Sequence, residues 1–147
     1  MLESFNYFRE REFWKVIAML DWNHVGDDGK VLERAKYYLS KRSVLSIEAF
    51  RKTLNERLKG LEDTRFLEMM LSNSINGKKK NITSRLFLNT RCLVIASGQK
   101  YYKSVLSNPA KMKENMEFGG LLELADAALQ LKIGNPKVSK KNKQVVS

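Results

Sequence analysis

The fold is decided by the stretch at residues 43–61, which reads SVLSIEAFRKTLNERLKGL. Its apolar residues lie three, four, four and three positions apart, the spacing of one face of an α-helix. They are Ile47, Phe50, Leu54, Leu58 and Leu61. The segment from Ser43 to Ser46 supplies the N-terminal cap of this helix. The stretch therefore predicts an amphipathic helix whose apolar face belongs to a protein core.

Helical spacing of apolar residues continues on both sides of this stretch, and the chain has only 8 glycines and 2 prolines among its 147 residues. Capping and turn signals at Asp27-Asp28-Gly29, Gly98 and Asn108-Pro109 separate the helices. The predicted helices cover about 4–22, 28–41, 43–60, 63–72, 83–97, 99–106 and 114–131, the last interrupted at Gly119-Gly120. The predicted fold class is all-α, a compact bundle of six to seven helices. We expect a single helical domain at residues 1–134, followed by a flexible basic tail at 135–147.

Composition excludes several classes of protein. One cysteine rules out a disulfide framework or a cysteine-based zinc cluster within one chain, and one histidine rules out a multi-histidine metal site. No apolar run is long enough to span a membrane, and the N-terminus lacks the pattern of a signal peptide. We therefore expect a cytoplasmic protein with no metal, no cofactor and no membrane partner.

The formal charge of +11 is concentrated in the second half of the chain. Residues 1–63 carry 12 basic and 11 acidic side chains, whereas residues 64–147 carry 15 basic and 5 acidic ones. Such a directed positive field attracts an acidic protein surface or phosphates. The candidate partner-binding residues are Lys78, Lys79, Lys80, Arg85, Lys100, Lys103, Lys137, Lys140, Lys141 and Lys143.

The chain has one histidine and one cysteine, and both side chains can take part in catalysis. His24, with Asp21 three residues before it, could act as a general base, but a loop histidine near a helix C-terminus is the simpler interpretation. Cys92 lies in the most apolar predicted helix, so a structural role is favoured over a reactive one.

Two tyrosine pairs lie among lysines, Tyr37-Tyr38 and Tyr101-Tyr102. Aromatic side chains mixed with positive charge occur in single-strand nucleic-acid binders, but we favour core packing for both pairs.

The segment at 87–98 reads FLNTRCLVIASG and is followed by Tyr101-Tyr102, Leu106 and Asn108-Pro109. With Phe13-Trp14 near the start and Glu117-Phe118 near the end, this order resembles an uncharacterised bacterial family, domain of unknown function 4240, over about residues 13–134. The resemblance implies a fold and a bacterial source but no reaction. By analogy, small bacterial proteins of this kind often look like antagonists of toxins or regulatory partners.

Three functional hypotheses follow. The first is a non-catalytic protein-binding module, of an immunity or antitoxin-like or regulatory kind, that engages an acidic partner such as a toxin through its basic surface. The alternative is nucleic-acid binding through the basic second half, although no helix-turn-helix, RRM or zinc-finger signature is present. The third is a hydrolase-type enzyme that uses His24 or a carboxylate.

Overall fold

The described chain consists of α-helices joined by turns and short 3-10 segments. The computed structural model describes residues 2–72, 83–112 and 116–134, with side chains at 9–71, 83–112 and 116–134. The helices are α1 (Leu2–Ile17), α2 (Asp28–Ser40), α3 (Val44–Gly60), α4 (Thr64–Ser72), α5 (Ser84–Ala96), α6 (Gln99–Ser107) and α7 (Leu124–Ile133). Short 3-10 turns occupy Trp22–His24, Pro109–Lys111 and Gly119–Glu123. These ranges contain no strand, and the all-α prediction is confirmed.

Polar side chains cap the helices at the predicted positions. The Asp27 carboxylate accepts a hydrogen bond from the Lys30 amide at 3.2 Å, and the Ser43 hydroxyl accepts one from the Ser46 amide at 3.1 Å. Each bond satisfies an amide that has no partner within its own helix. Gly98 joins α5 to α6 at φ +110°, a conformation that residues with a Cβ rarely adopt. These local signals fix where α2, α3 and α6 begin.

The buried apolar side chains form one core that draws on all seven helices. The predicted stripe of α3 is buried along its whole length. The ring of Phe13 packs at 4.9 Å from both Trp14 and Phe50, which joins α1 to α3. Helix α2 packs on α7, and α5 packs on the 3-10 turn at Gly119–Glu123. None of the described helices combines the length and apolarity needed to cross a membrane.

Polar contacts also join α1 to α3. Arg57 donates to the Glu10 carboxylate, which also accepts a hydrogen bond from the Trp14 indole at 2.8 Å. At the preceding residue of each helix, Arg9 and Glu56 form an ion pair at 3.4 Å. These contacts fix the position of the N-terminal helix against the core.

The predicted end of the first helix was wrong. Helix α1 ends at Ile17 rather than near Trp22. The chain turns because the Asp21 amide donates to the Val31 carbonyl at 2.9 Å, while the Asp21 carboxylate caps the Trp22–His24 turn through the Asn23 amide. Val31 lies in α2, so the spacing of apolar residues in the first helix could not predict this hydrogen bond.

The predicted start of the last helix was also wrong. Helix α7 begins at Leu124 rather than near residue 114, and the 3-10 turn at Gly119–Glu123 precedes it. A Cβ at Gly119 would lie 2.6 Å from Asn89 Oδ1, and one at Gly120 would lie 2.7 Å from Asp28 Oδ2. The glycine pair is therefore a close packing point, and α7 starts only after it.

We expect Gly120→Ala to lower the free energy of unfolding by about 1–3 kcal/mol, because the new methyl group must displace Asp28 at the start of α2. Urea unfolding followed by circular dichroism measures the change. Gly29→Ala is the matched control, since its Cβ would meet Asp27 Oδ1 at an ordinary 3.5 Å and alanine favours the helix. Equal stability of the Gly120→Ala variant and the natural protein would contradict the packing argument.

Candidate partner-binding face

Three of the sequence-predicted cations lie in the described chain, and all three are exposed. Lys100 and Lys103 share one face of α6, three residues apart. Arg85 lies in the first turn of α5, about 16 Å along the helix axis from its last residue, Ala96. The structure thus brings Lys100 and Lys103 together and leaves Arg85 at the opposite end of α5.

The remaining predicted candidates lie outside the described residues. They are Lys78, Lys79, Lys80, Lys137, Lys140, Lys141 and Lys143.

His24 lies in the exposed Trp22–His24 turn, with Nε2 3.6 Å from Asp21 Oδ2. That distance is longer than a hydrogen bond, and both side chains are well exposed. The carboxylate therefore does not hold the imidazole in the orientation that a general base requires. In the ranges that the structure describes, no group of three or more histidine, cysteine or acidic residues could hold a metal ion.

Cys92 is fully buried in α5. Burial raises the pKa of its thiol to about 12, and the nearby charge of Arg91 opposes this shift more weakly. The thiolate is the reactive form of cysteine, so this pKa and the lack of access favour a structural role.

The raised pKa of Cys92 predicts a specific loss of stability at high pH. Above the ordinary pKa of 9.0 the thiol ionises in the unfolded chain but stays protonated in the folded one up to about 12. The unfolded state then binds fewer protons, so this contribution is fully present below pH 9 and is lost as pH rises towards 12. We expect a decline of about 1 kcal/mol per pH unit in that window.

Urea unfolding of the natural protein and the Cys92→Ala variant across this pH window isolates the thiol from the titrating lysines. The variant should start less stable and should decline less steeply. Parallel declines would show that Cys92 ionises equally in both states.

Arg91 is a buried cation that the sequence reasoning did not single out. Its guanidinium donates to the Leu58 carbonyl at 3.1 Å and lies 4.4 Å from the ring centroid of Phe87. Burial lowers its pKa, and Glu62 at 3.9 Å partly offsets this effect. Arg91 joins α5 to the end of α3 and is not available to a partner.

The exposed side of α2 carries cations at regular helical spacing. Lys30, Arg34, Tyr37 and Lys41 lie four, three and four residues apart, so they form one stripe along the helix and its C-terminal cap. The opposite side of the helix is buried against the core and contains Val31, Leu32, Ala35 and Leu39. Amphipathic burial therefore exposes the whole cationic stripe.

The end of α7 completes this surface. Leu131 and Lys132 lie beside Tyr37 and Lys41 in a shallow cleft of about 330 Å³. A second open cleft of about 640 Å³ shares Tyr37 and Leu131 with the first and extends to the Trp22–His24 turn. We call the combined surface the α2–α7 face, and it comprises Asp21, His24, Lys30, Glu33, Arg34, Lys36, Tyr37, Lys41, Leu131 and Lys132.

The α2–α7 face has an excess of positive charge. Its five lysines and arginines outnumber its two carboxylates, those of Asp21 and Glu33. Within the described chain, none of these five cations forms a salt bridge. The positive field of the face is therefore directed towards solvent rather than neutralised by neighbouring carboxylates.

Apolar side chains are exposed within the same face. Tyr37 is 59% exposed and Leu131 is 43% exposed, and the Lys41 Nζ atom lies 5.0 Å from the ring centroid of Tyr37. Tyrosine and arginine are among the residues that most often anchor protein interfaces. Of the pair Tyr37-Tyr38, it is Tyr38 that packs against the core, because Tyr37 lies on the stripe of α2 opposite Leu32, Ala35 and Leu39.

The other three tyrosines of the two pairs are at least partly buried, so each pair contributes to the packing of the core, as predicted. Tyr38 is half-buried, and its hydroxyl donates to Glu12 at 3.1 Å. Tyr102 lies in the core, and the half-buried Tyr101 donates to the Lys111 carbonyl at 2.7 Å.

The fold and this face define a small all-α protein with an open cationic surface. The chain matches the family model described as "Protein of unknown function (DUF4240)" over residues 8–130, which is most of its length. The chain belongs to this family, and the resemblance noted in its sequence is confirmed. No curated protein and no solved structure matches the chain.

Proposed function

We propose that this protein is a non-catalytic binding module, of an immunity or antitoxin-like or regulatory kind, and that it holds an acidic protein partner on the α2–α7 face. One observation carries the proposal. Tyr37 and Leu131 are exposed at the centre of a concave surface surrounded by five cations without a salt-bridge partner in the described chain.

The two kinds of residue have different roles in the proposed complex. Tyr37 and Leu131 are the apolar anchors, since burying exposed aromatic and aliphatic surface supplies most of the affinity of an interface. Lys30, Arg34 and Lys41 steer an acidic surface towards these anchors and exclude basic proteins. The complex should therefore associate faster at low salt than at high salt, because salt screens the steering field.

The sequence beyond α7 extends the same charge. Helix α7 ends at Ile133, next to Lys132, and the following sequence carries four lysines and no acidic residue. These lysines follow Lys132 in the sequence and add to the positive charge of the chain. They increase the attraction for an acidic partner without adding an apolar anchor.

Nucleic-acid binding is the second candidate function, and the exposed ring of Tyr37 favours it. A base could stack on this ring while Lys30, Arg34 and Lys41 contact phosphates. The exposed Leu131 offers a nucleic acid no polar contact, whereas a protein partner can bury it. We therefore place nucleic acid second.

Site-specific photo-crosslinking tests both candidates. The photoreactive amino acid p-benzoylphenylalanine replaces Tyr37 in one variant, Leu131 in a second, and Leu71, which is exposed on α4, in a control. Each variant is irradiated in a native lysate with and without nuclease. We expect both face variants, but not the control, to give adducts with the same acidic protein after nuclease treatment.

Nuclease-sensitive adducts from the two face positions would move the assignment to nucleic acid. Identical adducts from all three positions, or none from the face, would contradict the proposed site.

A further inference from the structure

A cavity of about 290 Å³ opens between α1, the end of α2 and the start of α3, and it shares no lining residue with the α2–α7 face. Its floor is apolar and consists of buried side chains from all three helices. These are Phe13, Val16, Leu39 and Phe50. Leu45 lies at the mouth and is 81% exposed, so apolar surface continues from the floor to solvent. The cavity is therefore suited to an apolar ligand body.

The mouth of the cavity is charged. Arg9 and Arg42 line it together with a single carboxylate, that of Glu12. Each guanidinium forms one ion pair through a single nitrogen. Arg9 lies 3.4 Å from a carboxylate oxygen of Glu56, and Arg42 lies 3.4 Å from one of Glu12. A guanidinium has five N–H donors, so both arginines retain donors for a further acceptor. An added carboxylate would therefore share the two guanidinium groups with Glu12 and Glu56.

The size of the cavity limits the ligand. At roughly 30 Å³ for each water-sized group, 290 Å³ holds about ten non-hydrogen atoms. This volume corresponds to a medium-length alkyl chain or one aromatic ring with a short side chain.

We propose that this cavity binds a small amphiphilic carboxylate, with its apolar chain on the floor and its carboxylate between Arg9 and Arg42. A charge-assisted hydrogen bond from a guanidinium to a carboxylate is about twice as strong as a neutral one. Burial of the apolar chain away from water supplies most of the affinity, and the hydrogen bonds of the carboxylate fix the orientation of the ligand in the cavity. The site is separate from the α2–α7 face, so it does not depend on the function proposed for that face.

Decanoate is a suitable probe, since its chain length matches the volume. The experiment titrates protein carrying labelled methyl groups with decanoate below its micelle-forming concentration. We expect saturable shifts of the Val16 and Leu39 methyl signals and intermolecular contacts from the decanoate chain to both. Decanol, which lacks the charge, should bind about tenfold more weakly or worse.

Two variants test the two parts of the site. Arg42→Gln should weaken decanoate binding about tenfold while leaving decanol binding unchanged. Ala49→Leu, which fills the cavity from α3, should abolish the binding of both molecules. Arg34→Gln is the matched control, because it removes a guanidinium from α2 outside the cavity. Arg42 and Glu12 are a half-buried pair, and Glu12 keeps its hydrogen bond from Tyr38 when Arg42 is replaced, so we expect the variant to stay folded.

Four results would overturn this proposal. They are absence of methyl shifts at millimolar decanoate, equal affinity for decanol, equal weakening by Arg34→Gln, and unchanged binding in a folded Ala49→Leu variant. Binding to vesicles of anionic phospholipid without binding of monomeric decanoate would also overturn it, because the site would then be a lipid surface contact.

Discussion

We expect the combined variant Lys30→Glu, Arg34→Glu and Lys41→Gln to bind the proposed acidic partner about a hundredfold more weakly than the natural protein. These cations lie on one exposed stripe of α2, beside the anchors Tyr37 and Leu131. The reversal places carboxylates against an acidic surface and removes the steering field. Lys41 is changed to glutamine because a carboxylate at the C-terminal end of α2 would oppose the helix dipole.

The control for this variant carries the same change in net charge at another place. Arg85→Glu, Lys100→Glu and Lys103→Gln alter the exposed cations of α5 and α6 that the sequence reasoning favoured. The protein identified by crosslinking is purified separately, and titration calorimetry measures its affinity for the natural protein and for each of the two combined variants. Equal weakening by both variants would show that net charge, and not the α2–α7 face, determines binding.

We expect Phe13→Ala to lower the free energy of unfolding by about 3–5 kcal/mol. Phe13 is 1% exposed, and its ring lies 4.9 Å from both Trp14 and Phe50. The substitution removes the contact surface that joins α1 to α3 and leaves a cavity that the surrounding rings can fill only in part. For a domain of ordinary stability, about 5–15 kcal/mol, this is a large fraction of the total.

Urea unfolding measures this loss, with Tyr37→Ala as the matched control. That substitution also removes an aromatic ring, but from an exposed position, so it should change stability by about 0.5 kcal/mol or less. A similar small effect at Phe13 would contradict the packing described for α1.

Much of this fold could be predicted because its signals are local. Ser43 and Asp27 cap helices through their own side chains, and the α3 stripe fixes which face of that helix is buried. The end of α1 and the start of α7 could not be predicted, because contacts between distant segments determine them. Asp21 turns the chain by pairing with Val31, and Gly119 and Gly120 pack against Asn89 and Asp28.

The candidate face was only partly predictable. The spacing of Lys30, Arg34, Tyr37 and Lys41 places them opposite the apolar stripe of α2, so periodicity could have shown that Tyr37 is exposed. Attention to total charge instead directed the prediction to the second half of the chain. Leu131 and Lys132 belong to the face because α7 packs on α2. The spacing of residues within either helix does not predict that packing.

The most direct test of the central claim is to map the partner contact on the nitrogen-labelled protein by nuclear magnetic resonance. The partner identified by crosslinking is purified on its own and titrated into the labelled protein while the backbone amide signals are followed. The α2–α7 face predicts shifts that cluster at Arg34, Tyr37 and Lys132, with the amides of Lys100 and Lys103 unchanged. Shifts centred on α6 instead, with the α2 signals unmoved, would contradict the account.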